Sequence, residues 1–421
     1  MKKNIWIFNH YATSMYKNKG GRHYWFADNL QKNGYVPTIF CSSQFHEVTE
    51  QIDLESKRYK VDDNNRFDFV FVKSSPYKGN GLSRVFNMFS FYKNLLSITK
   101  KYVNQGGRPD IILASSVHPL TLIAGIKIAK RYKVPCICEI RDLWPEAIFF
   151  NSNKIKDKSL IGKILTYGEH WTYKKADALI FTKEGDTDYL KERKWDLEQG
   201  GNINFKKCHY INNGVNIGEY KKSIDLNILH DEDLENSKFN VVYCGAIRPV
   251  NNVGQILDCA ELLKSESEIQ FLIYGEGSLL SELKEKVAKQ NLTNVKLKGF
   301  VEKKYIPYIL SKSSLNILNY SAEKYNWARG SSSNKLFEYM ASGKPILSTV
   351  KMGYCIITKY NCGLSLDECT PQAMADAIIK VKNMHKDEYE KLGENAYNGA
   401  KDFDYEILTE KLLKVIESVV V

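Results

Sequence analysis

The feature that most constrains this chain is an alternation that runs through its first half and then starts again. Short runs of β-branched and aromatic residues (Ile5–Phe8, Pro37–Cys41, Phe67–Val72, Asp110–Ser115, Pro135–Ile140, Ala178–Thr182 and Cys208–Ile211) are separated by stretches in which apolar positions recur at helical spacing. Buried strands alternating with amphipathic helices make a parallel sheet covered on both faces. Beyond the polar stretch Asp225–Lys238 the pattern resumes with Phe239–Gly245, Ile269–Gly275, Asn294–Gly299, Leu315–Asn319 and Pro345–Thr349, and helical patterns over Asn252–Lys264 and Ser278–Gln290 lie between them. The sequence therefore predicts an α/β protein of two doubly wound, Rossmann-like domains, residues 1–215 and 216–404. Ile407, Leu408, Leu412, Val415, Ile416 and Val419 form one helical stripe, so the segment 405–421 is read as a helix docking back on the first domain. Ligands of open α/β sheets bind beyond the carboxyl ends of the strands, so two such domains are expected to face a central cleft.

Charge is distributed unevenly between the halves. The chain carries a formal +11, but residues up to Val215 hold 34 basic against 21 acidic side chains (+13), and the remainder holds 26 against 28 (−2). A half-chain of this charge attracts phosphates, nucleic acid or an anionic membrane. Nucleic acid is the weakest of the three, because the cations form no dense run and no RNA-binding aromatic motif accompanies them. Nine cysteines in apolar contexts, with no CxxC and no zinc-ligand spacing, indicate reduced core residues of a cytosolic protein and no metal site. The start runs straight into Ile5–Phe8 without the pattern of a signal peptide. Ser115, Ser116, His118 and Pro119 interrupt the most apolar stretch, Ile111–Ile126, before it reaches the ~18 residues needed to span a bilayer. Within Gly81–Gly107, Leu82, Val85, Phe86 and Phe89 mix with Arg84, Lys93, Lys100 and Lys101, a composition shared by interfacial membrane helices and by ordinary core-facing helices with a basic outer face.

The densest chemical signal is the segment Arg329–Leu347, RGSSSNKLFEYMASGKPIL. Its Gly/Ser loop opens a helix read from Asn334 to Gly343, and the free N–H groups of Ser331, Ser332, Ser333 and Asn334 at a helix start suit a diphosphate. Lys335 and Glu338, three residues apart, share one face of the first turn. The lysine suits a phosphate and the carboxylate suits the paired hydroxyls of a ribose; the plainer alternative is a capped helix with an i,i+3 salt bridge.

Through this segment the chain resembles the family 4 retaining glycosyltransferases of the GT-B fold, and is most similar to the branch of bacterial surface-polysaccharide enzymes that includes WbuB-like proteins. The likeness also rests on Lys19-Gly20-Gly21-Arg22, the stretch Glu139–Glu146 (EIRDLWPE), Ala176–Ile180, Ile211–Asn216, Tyr274-Gly275-Glu276-Gly277 and Leu297–Val301, in that order. It implies a nucleoside-diphosphate sugar, a UDP-sugar by family weighting, held by the second domain with Gly275 and Gly277 among its contacts. It implies further an acceptor approached from the first domain and no required cofactor or metal. The acceptor class is a glycan or a polyprenyl-diphosphate-linked sugar, in O-antigen, capsule or exopolysaccharide synthesis, with the inner membrane surface as a partner of a cytoplasmic, peripheral protein.

Two departures from the family pattern stand out. The family usually has two glutamates eight residues apart; Glu338 matches the second, and Gly330 occupies the position of the first, near the donor sugar. In the turn Tyr243–Asn252 the diphosphate-binding Arg and Lys align with Ala246 and Asn252. Arg248 is the substitute candidate, with Lys335 supplying the second charge, because neutralising the leaving diphosphate is the main electrostatic task without a metal. Sugar contacts are then expected from the backbone at Ser331–Ser333 and from Tyr320 or Tyr325.

In the first domain Gly20 and Gly21 allow close backbone approach to a ligand, and Arg22 beyond them is a candidate phosphate contact. His118, Arg141 and Asp142 follow predicted strands, where side chains point toward a ligand; they are the catalytic candidates, with Asp142 or His118 as base or positioner. The plainer readings are a structural histidine and a neighbour salt bridge. The resemblance implies front-face transfer with retention, in which a departing phosphate oxygen takes the acceptor proton. Two alternatives are a GT-B-fold sugar-nucleotide epimerase, which needs carboxylates around the sugar, and a non-catalytic glycan- or partner-binding member.

Overall fold

A computed structural model of the chain describes residues 2–45, 50–63, 66–79, 81–116, 118–151 and 155–420; Val117 in the Ser115–Pro119 segment and Val421 lie outside the described residues. The chain forms two compact units, Met1–Asn212 with Tyr405–Val421, and Asn213–Asp404.

The first unit is built on β1 (Asn4–Phe8), β2 (Val36–Ser42), β3 (Tyr59–Asp62), β4 (Asp68–Val72), β5 (Ile111–Ser116), β6 (Cys136–Ile140), β7 (Ala178–Phe181) and β8 (Cys208–Tyr210), in the sheet order β3-β4-β2-β1-β5-β6-β7-β8. All of its pairings are parallel except β3 on β4. The edge strand β3 is not among the predicted runs, because Tyr-Lys-Val-Asp is short, polar at two of four positions and nowhere fully buried. Alternation along β1 sorts the core. Trp6 and Phe8 pack with Phe91 and Leu95 of helix Leu82–Gly106 and Leu122 of helix Pro119–Tyr132. Ile5 and Ile7 face the other way, against Phe26 and Leu30 of helix Arg22–Lys32 and Leu408 and Leu412 of helix Tyr405–Val419.

The second unit holds β9 (Phe239–Cys244), β10 (Ile269–Tyr274), β11 (Val295–Gly299), β12 (Leu315–Leu318), β13 (Ile346–Ser348) and β14 (Gly363–Ser365), ordered β11-β10-β9-β12-β13-β14 and parallel throughout. Strand β14 is three residues of Gly-Leu-Ser, too short and too polar for periodicity to mark it. The two units are thus Rossmann-like α/β domains, as the alternation predicts. In each sheet the strand order reverses at one place, between β1 and β5 in the first and between β9 and β12 in the second. Such reversal points open the crevices that ligands use.

Candidate active-site residues in the two units

At the reversal point of the first sheet, Asn9-His10 follows β1 and His118 follows β5. The two imidazoles meet there, with His10 Nδ1 2.6 Å from His118 Nε2, and Thr121 Oγ1 is 3.4 Å from the same nitrogen. His118 also starts helix Pro119–Tyr132 from an extended backbone. Its burial, with the Arg84 charge nearby, lowers its pKa to about 3, so the ring is neutral. A general base works best with a pKa near the operating pH, so this geometry favours a positioning histidine over a basic one. His10 escaped the sequence reading, although it lies two residues past a strand end just as His118 does.

Beside the histidines lies a buried ionic group centred on Glu139 of β6. Arg22 Nε donates to its carboxylate at 2.7 Å, Ser115 Oγ donates at 2.8 Å, and His23 Nε2 stands 3.1 Å away. Although burial works against ionisation, the Arg22, His23 and Arg141 charges hold this carboxyl well below its usual range. Desolvation lowers the His23 pKa, and Asn9 Nδ2 is 2.8 Å from its Nδ1. The remaining Arg22 donors reach the carbonyls of Ile211 and Asn212. This corrects the reading of Arg22 as a phosphate contact: its guanidinium is buried and ties helix Arg22–Lys32 to β6 and to the end of β8. The glycine turn also differs from its expected place, because helix Thr13–Asn18 separates it from β1. Gly21 has φ +102° at the start of helix Arg22–Lys32, and a Cβ there meets Met15 Cγ at 3.1 Å, while Gly20 has ordinary room. Arg141 donates its N–H to Ser116 Oγ at 3.0 Å. Asp142 is half exposed, 3.9 Å from Lys183 Nζ.

The reversal point of the second sheet is organised around Lys335. Its Nζ lies 4.7 Å from the ring centroid of Tyr243 on β9 and 4.6 Å from that of Tyr320, just past β12. It is 3.3 Å from Tyr243 Oη and from Asn251 Oδ1. Lys335 pairs with no carboxylate among the described residues; Glu338 instead lies 3.3 Å from Lys303 Nζ. The i,i+3 salt bridge of the plainer reading is therefore not formed. Desolvation lowers the Lys335 pKa to about 7. Helix Asn334–Ala341 begins after Ser333 with no side-chain cap and no acid in its first turn, which leaves its start open to an anion.

The loops around this cation are fixed by the backbone. Asn319 Nδ2 donates to the carbonyls of Asn251 and Asn252 at 2.8 Å each, tying the turn after β9 to the end of β12. Gly275 and Gly277 pack against that turn so closely that a Cβ would fall 1.8 Å from the Gly245 carbonyl oxygen or 2.1 Å from that of Ile247. In the serine loop Asn213 Nδ2 donates to the Ser332 carbonyl at 2.6 Å, and Ser333 N–H donates to the buried Ser331 Oγ at 3.2 Å. Arg248, exposed, opens the 3-10 turn Pro249–Asn251. Gly330 has φ +90°, a conformation unfavourable to glutamate, which explains locally why no carboxylate stands at that position. Tyr320 is buried, with its ring between Lys335 and Trp327, so of the two tyrosines considered for sugar contact only Tyr325 keeps surface to offer. Tyr243, Asn251 and Asn319 were not singled out by sequence, because each lies among apolar or turn residues whose meeting point only the sheet order reveals. Among the described residues no group of three or more His, Cys, Asp or Glu is arranged to hold a metal ion, and no helix is long and apolar enough to cross a membrane.

Comparison with known proteins agrees with this architecture. Residues 24–219 match the family model "Glycosyltransferase Family 4", and residues 226–399 match "Glycosyl transferases group 1". An uncharacterized glycosyltransferase of Methanocaldococcus jannaschii is 24% identical over 178 residues, which is 42% of this chain and about half (47%) of that relative's length. The sucrose-phosphate synthase of Thermosynechococcus elongatus superposes with a TM-score of 0.70 at 14% identity, covering 99% of this chain and 98% of that one. The HepE protein of Anabaena, solved in complex with UDP, gives 0.67 at 13% identity over 99% and 100% of the two chains. A glycosyltransferase family model thus matches most of each unit, family 4 on the first and group 1 on the second, and the fold of the two units is that of the GT-B glycosyltransferases.

Proposed function

We propose that the chain is a retaining glycosyltransferase that moves a hexosyl or N-acetylhexosaminyl group from a UDP-sugar to a glycan or polyprenyl-diphosphate-linked acceptor in bacterial surface-polysaccharide synthesis, within the WbuB-like branch. The observation that carries the donor half of this reading is Lys335: a cation held by aromatic faces and an amide oxygen, with no carboxylate among the described residues to satisfy it, at an uncapped helix start. Such a site gains most from a ligand that brings negative charge. Glu338, one turn further on, partly exposed and paired with Lys303, is the acceptor in this reading for ribose hydroxyls, and Arg248 is near enough in sequence to join the diphosphate. The Anabaena HepE structures with UDP and with UDP-glucose, proteins of the same fold, support a UDP-linked donor.

In the transfer step the acceptor oxygen bonds to the anomeric carbon on the face from which UDP leaves, and the departing phosphate oxygen takes its proton. No protein nucleophile is needed, so glycine at 330 is compatible with the step. Neutral His118 orients a hydroxyl, and Lys335 with Arg248 stabilises the charge that collects on the leaving diphosphate. A thermal-shift screen against nucleotide sugars tests the donor: a UDP-sugar raises Tm in the parent and not in Lys335→Ala. Proton coupling at the new anomeric centre tests the stereochemistry, and an inverted linkage overturns the retaining mechanism. Turnover of donor without acceptor favours the epimerase reading instead.

A further inference from the structure

Three helices on one face of the first sheet carry an unusual charge. Helices Leu82–Gly106, Pro119–Tyr132 and Leu160–Lys175 pack side by side and send Phe91, Leu122 and Tyr173 into the same core. Together they contain ten Lys and Arg residues and one carboxylate, Glu169. That carboxylate is buried and accepts from the hydroxyls of Tyr173 and Tyr189 at 2.7 Å each, so the layer presents no acid to solvent.

The outward side of the first turns is apolar in two of the three helices. Leu82 (78% exposed), Val85, Phe86 (68%) and Phe89 recur at i, i+3, i+4 and i+7; Leu160 (76%), Ile161, Ile164 and Tyr167 (73%) follow at i, i+1, i+4 and i+7, with exposed Lys163 at i+3. Phe150, on helix Trp144–Asn151 packed against the third helix, adds an exposed ring. Of the ten cations, half-buried Arg84 and exposed Lys163 lie in the first turns, whereas the exposed Lys93, Lys100 and Lys101, Lys127, Lys130 and Arg131, and Lys174 and Lys175 fall in later turns. The helices run back from the carboxyl edge of the sheet, so the exposed apolar groups gather at that edge, with Arg84 and Lys163 among them, and the other eight cations line the layer behind it.

Scattered exposed apolar residues need no explanation, but two ordered stripes on one layer do. A bilayer interface asks for this arrangement, with apolar side chains in the acyl boundary and cations at the headgroup phosphates. We propose that this helix layer is a docking surface for an anionic lipid bilayer, inserted through Leu82, Phe86, Phe89, Leu160, Ile164 and Tyr167 and held by the cations of the later turns. The absence of any exposed carboxylate on the three helices favours a uniformly negative lipid surface over a protein face. The idea extends the polyprenyl-linked acceptor reading to a second helix, but vesicle binding needs neither donor nor acceptor, so either can fail without the other.

Sedimentation of the full chain with vesicles is the test. The parent is expected to pellet with vesicles containing phosphatidylglycerol, to release as salt rises, and to stay in the supernatant with pure phosphatidylcholine. The pairs Leu160→Ser with Ile164→Ser and Phe86→Ser with Phe89→Ser are each expected to weaken partition about tenfold or more, with Tm and UDP binding unchanged. Lys93→Gln, Lys100→Gln and Lys101→Gln together are expected to flatten the salt dependence. Parent protein left in the supernatant with anionic vesicles overturns the proposal, as does full partition of both serine pairs. A dimer that these same substitutions dissolve also overturns it, because a second copy then covers the face.

Discussion

Lys335 holds its ammonium 4.6 Å from the ring of Tyr320, and that ring is itself packed 4.5 Å from the ring of Trp327. The cation is thus fixed by a π-face with a second aromatic behind it, an arrangement that positions the charge without neutralising it. A lysine whose pKa is lowered to about 7 must take up a proton when it meets a diphosphate at higher pH. UDP affinity is therefore expected to fall by up to about tenfold per pH unit above pH 7.5, and calorimetry in buffers of different ionisation enthalpy should register proton uptake. Lys335→Met should bind UDP poorly at every pH.

The same shift sets a stability window. Between about 7 and the ordinary lysine value of 10.5 the unfolded chain binds a proton here that the folded chain does not, so this residue makes the ligand-free protein more stable as pH rises. Thermal melts of the parent and Lys335→Met should converge at the alkaline end of that range.

Glu139 gives the opposite sign. Its folded pKa is depressed, so its stabilising contribution is full above the ordinary 4.5 and is lost as pH falls through the folded value. Glu139→Gln leaves the Arg22 guanidinium buried without its counter-charge, and a loss of about 3–5 kcal/mol is expected from chemical denaturation.

Neutral His118 should show no titration of its ring protons by NMR between pH 5 and pH 8, because its pKa is lowered to about 3. A measured pKa near 6.5 would return His118 to the role of base.

Restoring the carboxylate is not expected to improve the enzyme. Gly330→Glu places a side chain at φ +90°, 3.3 Å from the Gly353 carbonyl oxygen, and should cost ~1 kcal/mol or more without raising transfer rates. Gly275→Ala, whose Cβ would collide with the Gly245 carbonyl, should unsettle the whole turn and abolish UDP-induced stabilisation.

Much of the fold was legible because strands buried on both faces must read as apolar runs, and all twelve predicted runs differ from the observed strands by one residue or less at each end, Pro345–Thr349 included. The serine loop and Lys335 were legible because a helix start has its own residue chemistry. What the sequence withheld is whatever depends on strand order. His10 and His118 are 108 positions apart, and Lys335 meets Tyr243 across 92, so no local pattern links them. Arg22 was misread for the same reason: its carboxylate lies 117 residues away on another strand.

The helix Tyr405–Val419 has a consequence for how the molecule comes into being. Its Leu408 and Leu412 complete the core around Ile5 and Ile7, yet the whole of Asn213–Asp404 is synthesised in between. At typical translation rates of ~5–20 residues per second those 192 residues take about 10–40 s, during which one face of the first sheet is covered by helix Arg22–Lys32 but lacks helix Tyr405–Val419. The second unit can close on itself as it emerges. The first cannot, and a nascent chain stalled within the second unit should expose to chaperones the apolar patch that Leu408 and Leu412 later cover.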